Sequence, residues 1–200
     1  MTSIGILAYG SLIKDPGSKL SVEISSIKND IKTPFNVEFA RYSSKRGGAP
    51  TLIPVEFGGT PVNAKILVLK EHITEEQAMD MLYRRETHQV DSTQAYRPCR
   101  TPGTNTVCIN KLRDFHQVGV VLYTSIAPNI NDTELTPTNL AFKAIESVGR
   151  AAKGKDGISY LIGVKSNGIR TPLSEEYEEE IKKQSQTRSL EEALEKLQSK

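Results

Sequence analysis

The chain has 200 residues, of which 37% are hydrophobic, a formal net charge of +2 at pH 7 and no tryptophan. This length and apolar content suit one domain with a hydrophobic core. Scattered cations and few aromatics give no basis for a nucleic-acid partner, and no apolar stretch approaches the roughly 20 residues that a membrane span needs. The first residues lack the basic region and long apolar run of a signal peptide, so we expect a cytoplasmic protein.

The first 41 residues predict two strands separated by a polar segment. Residues 3–9 are rich in Ile and Leu and predict a buried strand that ends at Gly10. Residues 14–32 are polar and are expected to hold a loop and a short element. Residues 35–41 alternate, which is typical of a half-buried strand whose inner face carries Phe35, Val37 and Phe39.

The middle of the chain predicts four more strands. Residues 51–55 and 62–70 form two of them, and we expect these to pair as a hairpin through a turn at residues 58–59. Residues 106–109 and 118–123 predict the other two. The two cysteines, Cys99 and Cys108, are either two reduced thiols in or near the core, which the sequence favours, or a bridge in an oxidising compartment.

Helix signals become frequent after residue 70. Thr74 opens a capping box and a helix that we expect to end at 85–87, and Thr136 precedes a second helix whose predicted apolar stripe is Leu140, Ala144, Ile145 and Val148. Residues 158–164 are expected to be a strand or a connector. Residues 174–184 predict a charged helix with a solvated acidic face, and Ser189 is expected to cap a last helix after it. This order of elements indicates an α+β fold.

Two features of the sequence carry candidate chemistry. A Tyr-Gly-Ser-Leu loop directly follows the first strand, where consecutive backbone N–H groups can form an anion-binding concavity; a plain strand-to-loop turn is the alternative.

Glu86 shares a helix face with positions 78 and 82, so it continues the apolar stripe at the negative end of the helix dipole. Partial burial there favours a carboxyl that transfers protons, whereas an ion pair with Arg84 or Arg85 is the alternative. His88 is either a second titrating group or a helix C-cap.

Together these segments resemble the γ-glutamyl cyclotransferase-like superfamily. Residues 6–12 resemble its opening strand and YGSL/YGSN loop, and residues 81–86 resemble its later helix, which ends in the catalytic glutamate. The pair Arg85-Glu86 matches the ChaC-type branch. Arg46 falls in a segment similar to that branch's strand-and-arginine segment. The resemblance covers most of residues 4–175, and the sequence departs from it at 87–89, where relatives often carry small residues.

The resemblance implies a mixed-topology β-barrel flanked by helices, over residues 1–175, with a charged helical extension over 176–200. It also implies a reaction, in which a γ-glutamyl peptide or amine cyclises to 5-oxoproline and releases an amino acid or amine, with Glu86 as acid and base. No metal or organic cofactor is required. The substrate-binding residues that it implies are Tyr9, Gly10, Ser11, Leu12, Arg46 and Tyr96.

Two other functions stay open from the sequence. One is a non-catalytic module on the same fold that binds a small carboxylate ligand. The other is a protein-interaction module that uses the charged C-terminal helices. The oligomeric state and the leaving group of the substrate are not determined by the sequence.

Overall fold

The computed structural model describes residues 2–199 and confirms the α+β class. Its strands are β1 Ile4–Ala8, β2 Ile24–Lys32, β3 Asn36–Ser43, β4 Ala49–Val55, β5 Asn63–Leu69, β6 Cys108–Phe115 and β7 Val118–Ser125. Its α-helices are α1 Ser18–Ser21, α2 Glu75–Glu86, α3 Pro137–Val148, α4 Gly157–Ser166, α5 Ser174–Ser185 and α6 Leu190–Gln198. In this part of the chain no helix has the length and apolar character needed to cross a membrane.

The chain forms two compact units that interleave along the sequence. Residues 2–33 and 63–127 form the first unit, and residues 34–62 and 128–199 form the second. The first unit holds a five-stranded sheet and the second holds a two-stranded sheet. The strand pairings over residues 2–199 do not close a barrel, so the barrel implied by the resemblance is not confirmed. The domain boundary at residue 175 stays a prediction.

Strand β1 lies in the middle of the five-stranded sheet of the first unit. The strand order is β2-β5-β1-β7-β6, with β1 antiparallel to β5 and parallel to β7. All five β1 residues are buried, as their apolar run predicts. Because β1 is hydrogen-bonded on both sides, the loop that follows it leaves from a fixed point of the sheet.

One prediction about strand pairing is wrong, and one strand was not predicted. Strands β4 and β5 do not form a hairpin, because β4 pairs with β3 and β5 pairs with β1 and β2. Residues 14–32 contain the expected short element, α1, but residues 24–32 form strand β2, which was not predicted. Strand β2 lies at the edge of the sheet, has two register shifts and buries only Ile31, so it lacks the alternation that identifies a strand.

In the second unit the β3–β4 pair is accompanied by α3, α4, α5 and α6. Residues 157–166 are helical, so the expected strand or connector is wrong. Asp156 caps this helix by accepting the Ser159 N–H at 2.8 Å and its hydroxyl at 2.7 Å. Apolar residues of α4 occur on most sides of the helix, so the sequence there lacks the 3.6-residue apolar period that identifies a helix.

Helices α3, α5 and α6 begin near the residues that the sequence indicates. Thr136 and Ser189 cap α3 and α6 as predicted. The apolar stripe of α3 is partly wrong, because Ala141 and Ser147 are fully buried while Ile145 and Val148 are half-buried. The acidic face of α5 is exposed at Glu175, Glu176 and Glu179, although Tyr177 between them is fully buried.

Candidate functional site

The Tyr-Gly-Ser-Leu loop turns sharply as it leaves β1. Tyr9 is extended, and Gly10 follows with φ +60°, a left-handed conformation that glycine adopts at low cost. Residues Gly10–Ile13 then form one turn of 3₁₀ helix, whose first N–H groups have no partner within the turn. The Leu12 side chain is buried in the core, so Leu12 can offer a ligand only its backbone groups. Anion binding by this turn stays a prediction.

Helix α2 places Glu86 where its periodicity predicts. The capping box is confirmed, since Thr74 Oγ1 accepts the Gln77 N–H at 3.2 Å and Gln77 Oε1 accepts the Thr74 N–H at 2.9 Å. Ala78 and Leu82 are fully buried, and the Glu86 side chain is 24% exposed. The buried apolar face of α2 therefore ends in a partly buried carboxylate.

Beyond Glu86 the helix closes with a Schellman motif. The His88 N–H donates to Arg85 O at 3.2 Å, and the Gln89 N–H donates to Arg84 O at 2.7 Å. His88 has φ +57° and is exposed. The C-cap residue is Thr87 and His88 lies one position beyond it, so a contact of the His88 imidazole with the helix dipole stays a prediction.

Arg85 joins the loop to Glu86. Its Nη1 donates to Glu86 Oε1 at 2.6 Å, and its Nη2 donates to Ser11 Oγ at 3.3 Å. Its Nε and Nη2 also donate to Asp15 O at 3.0 and 2.6 Å. The structure therefore brings together two motifs that lie 74 positions apart in the chain.

These contacts decide between an ion pair and no ion pair for Glu86, and they add Arg85 to the candidate site. The ion pair of Glu86 with a neighbouring arginine is confirmed, whereas proton transfer by Glu86 stays a prediction. Arg85 entered the sequence analysis only as part of a motif and as an ion-pair partner. Consecutive helix residues do not normally face each other, so spacing gave no signal that Arg85 would bridge Glu86 to the loop.

Tyr9 and Tyr96 both use their hydroxyls in contacts to the sheet. Tyr9 donates to Thr124 O at 3.2 Å, and Tyr96 accepts the Ile109 N–H at 3.0 Å. The Tyr96 ring also packs on Tyr83 of α2, with centroids 5.3 Å apart. These contacts hold both tyrosines in the first unit. Their predicted role in substrate binding stays a prediction.

A carboxylate one turn before Arg84 fixes the long segment that carries Tyr96. Asp80 Oδ1 accepts the Tyr96 N–H at 2.7 Å, and Asp80 Oδ2 accepts from Arg84 Nη2 at 3.4 Å. Arg84 Nε donates to Gln94 O at 2.7 Å. The two adjacent arginines of α2 therefore have separate tasks: Arg84 holds the segment after the helix, and Arg85 holds the loop after β1.

Arg46 belongs to the second unit. Its Nη1 donates to Lys155 O at 3.3 Å, and its guanidinium carbon lies 4.5 Å above the centroid of the Tyr160 ring. That geometry is a cation–π contact. The loop after β1, Glu86 and Tyr96 all belong to the first unit. A substrate-binding role for Arg46 stays a prediction.

The sequence analysis missed a buried carboxyl in the second unit. Glu38 on β3 is 3% exposed, and its Oε1 accepts the Phe39 N–H at 2.9 Å. Burial raises the pKa of Glu38 above its ordinary value, and hydrogen bonds from Thr171, Phe39 and Leu173 oppose that shift. Strict alternation had placed only Phe35, Val37 and Phe39 on the inner face.

The remaining candidate ligands are dispersed. Across residues 2–199, no three His, Cys, Asp or Glu side chains group as they would around a metal ion. Both cysteines are free thiols, with Cys99 exposed and Cys108 half-buried at the start of β6. The two sulfurs are not bonded to each other, and Cys99 lies outside the core; that both thiols are reduced stays a prediction.

The chain matches no protein-family model, no curated protein and no solved structure.

Proposed function

We propose that this protein is a γ-glutamyl cyclotransferase-type enzyme that cyclises a γ-glutamyl peptide or amine to 5-oxoproline. The observation that carries the proposal is the contact made by Arg85, which donates both to Ser11 in the loop and to Glu86. A donor-rich turn and a partly buried carboxylate thus lie on either side of one guanidinium. The family's barrel and a cytoplasmic location also belong to the proposal.

In the proposed reaction the α-amino nitrogen of the γ-glutamyl group attacks the γ-carbonyl carbon of the same group. A new N–C bond closes a five-membered ring, and the bond from that carbon to the leaving nitrogen breaks. Glu86 accepts a proton from the attacking amine and delivers it to the leaving amine, so no net proton is consumed. The products are 5-oxoproline and a free amine or amino acid.

The loop after β1 supplies the binding part of this mechanism. The first N–H groups of the 3₁₀ turn and the Ser11 hydroxyl hold the carboxylate of the glutamyl group. Ring closure is intramolecular, so a substrate held in its folded conformation gains much of the rate from positioning. Arg85 keeps Glu86 Oε1 and its bonds to Asp15 O, which leaves Glu86 Oε2 for the substrate amine.

The test is direct detection of 5-oxoproline by mass spectrometry. The purified protein is incubated with glutathione, γ-glutamyl dipeptides and γ-glutamyl amines, alongside Glu86→Gln and Glu76→Gln. Both variants replace a carboxylate of α2 with an amide, but Glu76 is exposed in the first turn. We expect product from the wild type and Glu76→Gln and a loss of at least about 100-fold in Glu86→Gln. Folded wild-type protein that makes no 5-oxoproline from any member of the panel would contradict the proposal.

A second function is favoured by the ion pair itself. Because Arg85 already neutralises Glu86, the carboxylate also fits a purely structural role, and the loop then serves a module that binds a small carboxylate without turnover. This function predicts thermal stabilisation by glutamate or 5-oxoproline that survives Glu86→Gln. Ligand at 100 times its Kd stabilises a folded protein by about 2.7 kcal/mol, which a melting experiment resolves.

A further inference from the structure

We infer that Arg85 is a positioning residue: its guanidinium fixes the loop after β1 and the Glu86 carboxylate relative to each other. The inference rests on the proposed function. The Arg85 side chain is 13% exposed, so the contact is largely shielded from water. Of the roughly five N–H donors of a guanidinium, Arg85 uses four in bonds to Asp15 O, Ser11 Oγ and Glu86 Oε1. A side chain engaged in this way holds protein groups in place and has little capacity left for a ligand.

The segment that Arg85 holds is a single hydrogen-bonded turn. The Lys14 and Asp15 N–H groups both return to Ser11 O, at 3.2 and 3.0 Å. The carbonyl of Asp15 then accepts from two nitrogens of Arg85. A displacement of the guanidinium therefore moves Asp15 and, through it, the backbone that carries Ser11.

The chain also passes close over the stem of Arg85. Gly17 has φ +84°, and a Cβ built on it would lie 3.1 Å from Arg85 Cγ. The Gly17 N–H is held by Asp15 Oδ1 at 3.1 Å, which keeps the turn over the arginine. Arg85 is thus confined by the backbone on one side and by Glu86 on the other.

Lysine cannot reproduce this contact. An ammonium is a single donor centre, whereas the planar guanidinium presents its donors in a fork that reaches several acceptors in fixed directions. A lysine at position 85 reaches either Asp15 O or Glu86, and the relative position of the two is released.

The test compares Arg85→Lys with Arg113→Lys, a control variant of an exposed arginine on β6 in the same unit. Amide hydrogen exchange at Lys14 and Asp15 is measured by NMR, together with kcat and KM on the best substrate. We expect Arg85→Lys to speed exchange about 10-fold, to lower kcat about 10- to 100-fold and to raise KM by a smaller factor, because the released loop also holds the substrate carboxylate. Arg113→Lys should leave all of these values near wild type.

Wild-type exchange at Lys14 and Asp15 in Arg85→Lys, or an unchanged kcat, would overturn the inference. If the lysine variant does not fold, Arg85→Gln replaces it and should give the same changes. If the wild type turns over no substrate, the proposed function fails, and exchange alone then decides whether Arg85 holds the loop. If turnover is lost in Glu86→Gln but unchanged in Arg85→Lys, the function stands and the positioning role is wrong.

Discussion

Replacing Tyr177 with phenylalanine should stabilise the second unit, because its hydroxyl is buried without a hydrogen bond. Tyr177 is fully buried on α5, and its ring meets the Phe39 ring edge-on at 5.1 Å between centroids. No hydrogen-bond partner for the hydroxyl is found among residues 2–199. Burial raises the pKa of Tyr177 far above its ordinary value, so the group is neutral and the penalty is that of an unpaired hydroxyl.

The size of the effect follows from what the substitution keeps and removes. Phenylalanine keeps the ring and its contact with Phe39, so little packing is lost. It removes a buried polar group whose desolvation is uncompensated, which costs about 1–3 kcal/mol. We expect Tyr177→Phe to raise the free energy of unfolding by up to that amount, measured by urea unfolding followed by circular dichroism with an unchanged m-value.

Tyr160→Phe is the matched control in the same unit. The Tyr160 ring also meets Phe39 edge-on, with centroids 6.4 Å apart, but its hydroxyl accepts the buried Leu52 N–H at 3.2 Å. Removing this acceptor should lower the free energy of unfolding by about 1–3 kcal/mol. The same chemical change therefore has opposite signs at the two positions. A loss of stability in Tyr177→Phe as large as that in Tyr160→Phe would refute the reasoning.

Three further predictions concern stability. The pKa of Glu38 is raised from 4.5 in the folded state, so its stabilising effect is complete below about pH 4.5 and is lost as the pH rises through the folded-state pKa. The unfolding free energy of Glu38→Gln minus that of the wild type should therefore rise above pH 4.5 in urea titrations, and a flat difference would contradict this. His88→Gly should add about 0.5–1 kcal/mol in chemical unfolding, because glycine adopts φ +57° without strain; a less stable variant would contradict a backbone strain at this position, which follows the C-cap Thr87. Thr74→Ala should cost about 1 kcal/mol in the same assay while Thr74→Ser does not, since only alanine removes the N-cap acceptor, and equal losses would oppose it.

The elements predicted best are those whose signals are local. Helix α2 begins at a capping box whose two hydrogen bonds span three residues, so its start and inner face follow from the sequence. Strand pairing is not local. The glycines at 58–59 favour a turn, but β4 and β5 on either side of it do not pair with each other, since each strand pairs with other strands. The hairpin was wrong because sequence proximity does not decide which strand edges meet.

The same distinction separates the predicted from the unpredicted parts of the site. The inward position of Glu86 follows from its spacing with Ala78 and Leu82. The contact of Arg85 with Asp15 O depends on how the loop after β1 folds back over α2, and no periodicity encodes it. Glu38 was missed because alternation assigns it to the outer face of β3. That face is covered in the second unit, where Thr171 and Leu173 bond its carboxyl.

The two candidate functions assign opposite meanings to the ion pair between Arg85 and Glu86. If Glu86 is only the counterion of Arg85, an amide at position 86 keeps an acceptor for Nη1 and changes little. If Glu86 transfers the proton of the substrate, the same amide leaves the loop protected and the ligand bound but abolishes ring closure. Glu86→Gln is thus informative because it preserves the geometry that Arg85 maintains and removes only the proton-transfer capacity. Loss of turnover with intact amide protection at Lys14 and Asp15 assigns catalysis to Glu86, and Arg85→Lys then decides whether Arg85 has the positioning role.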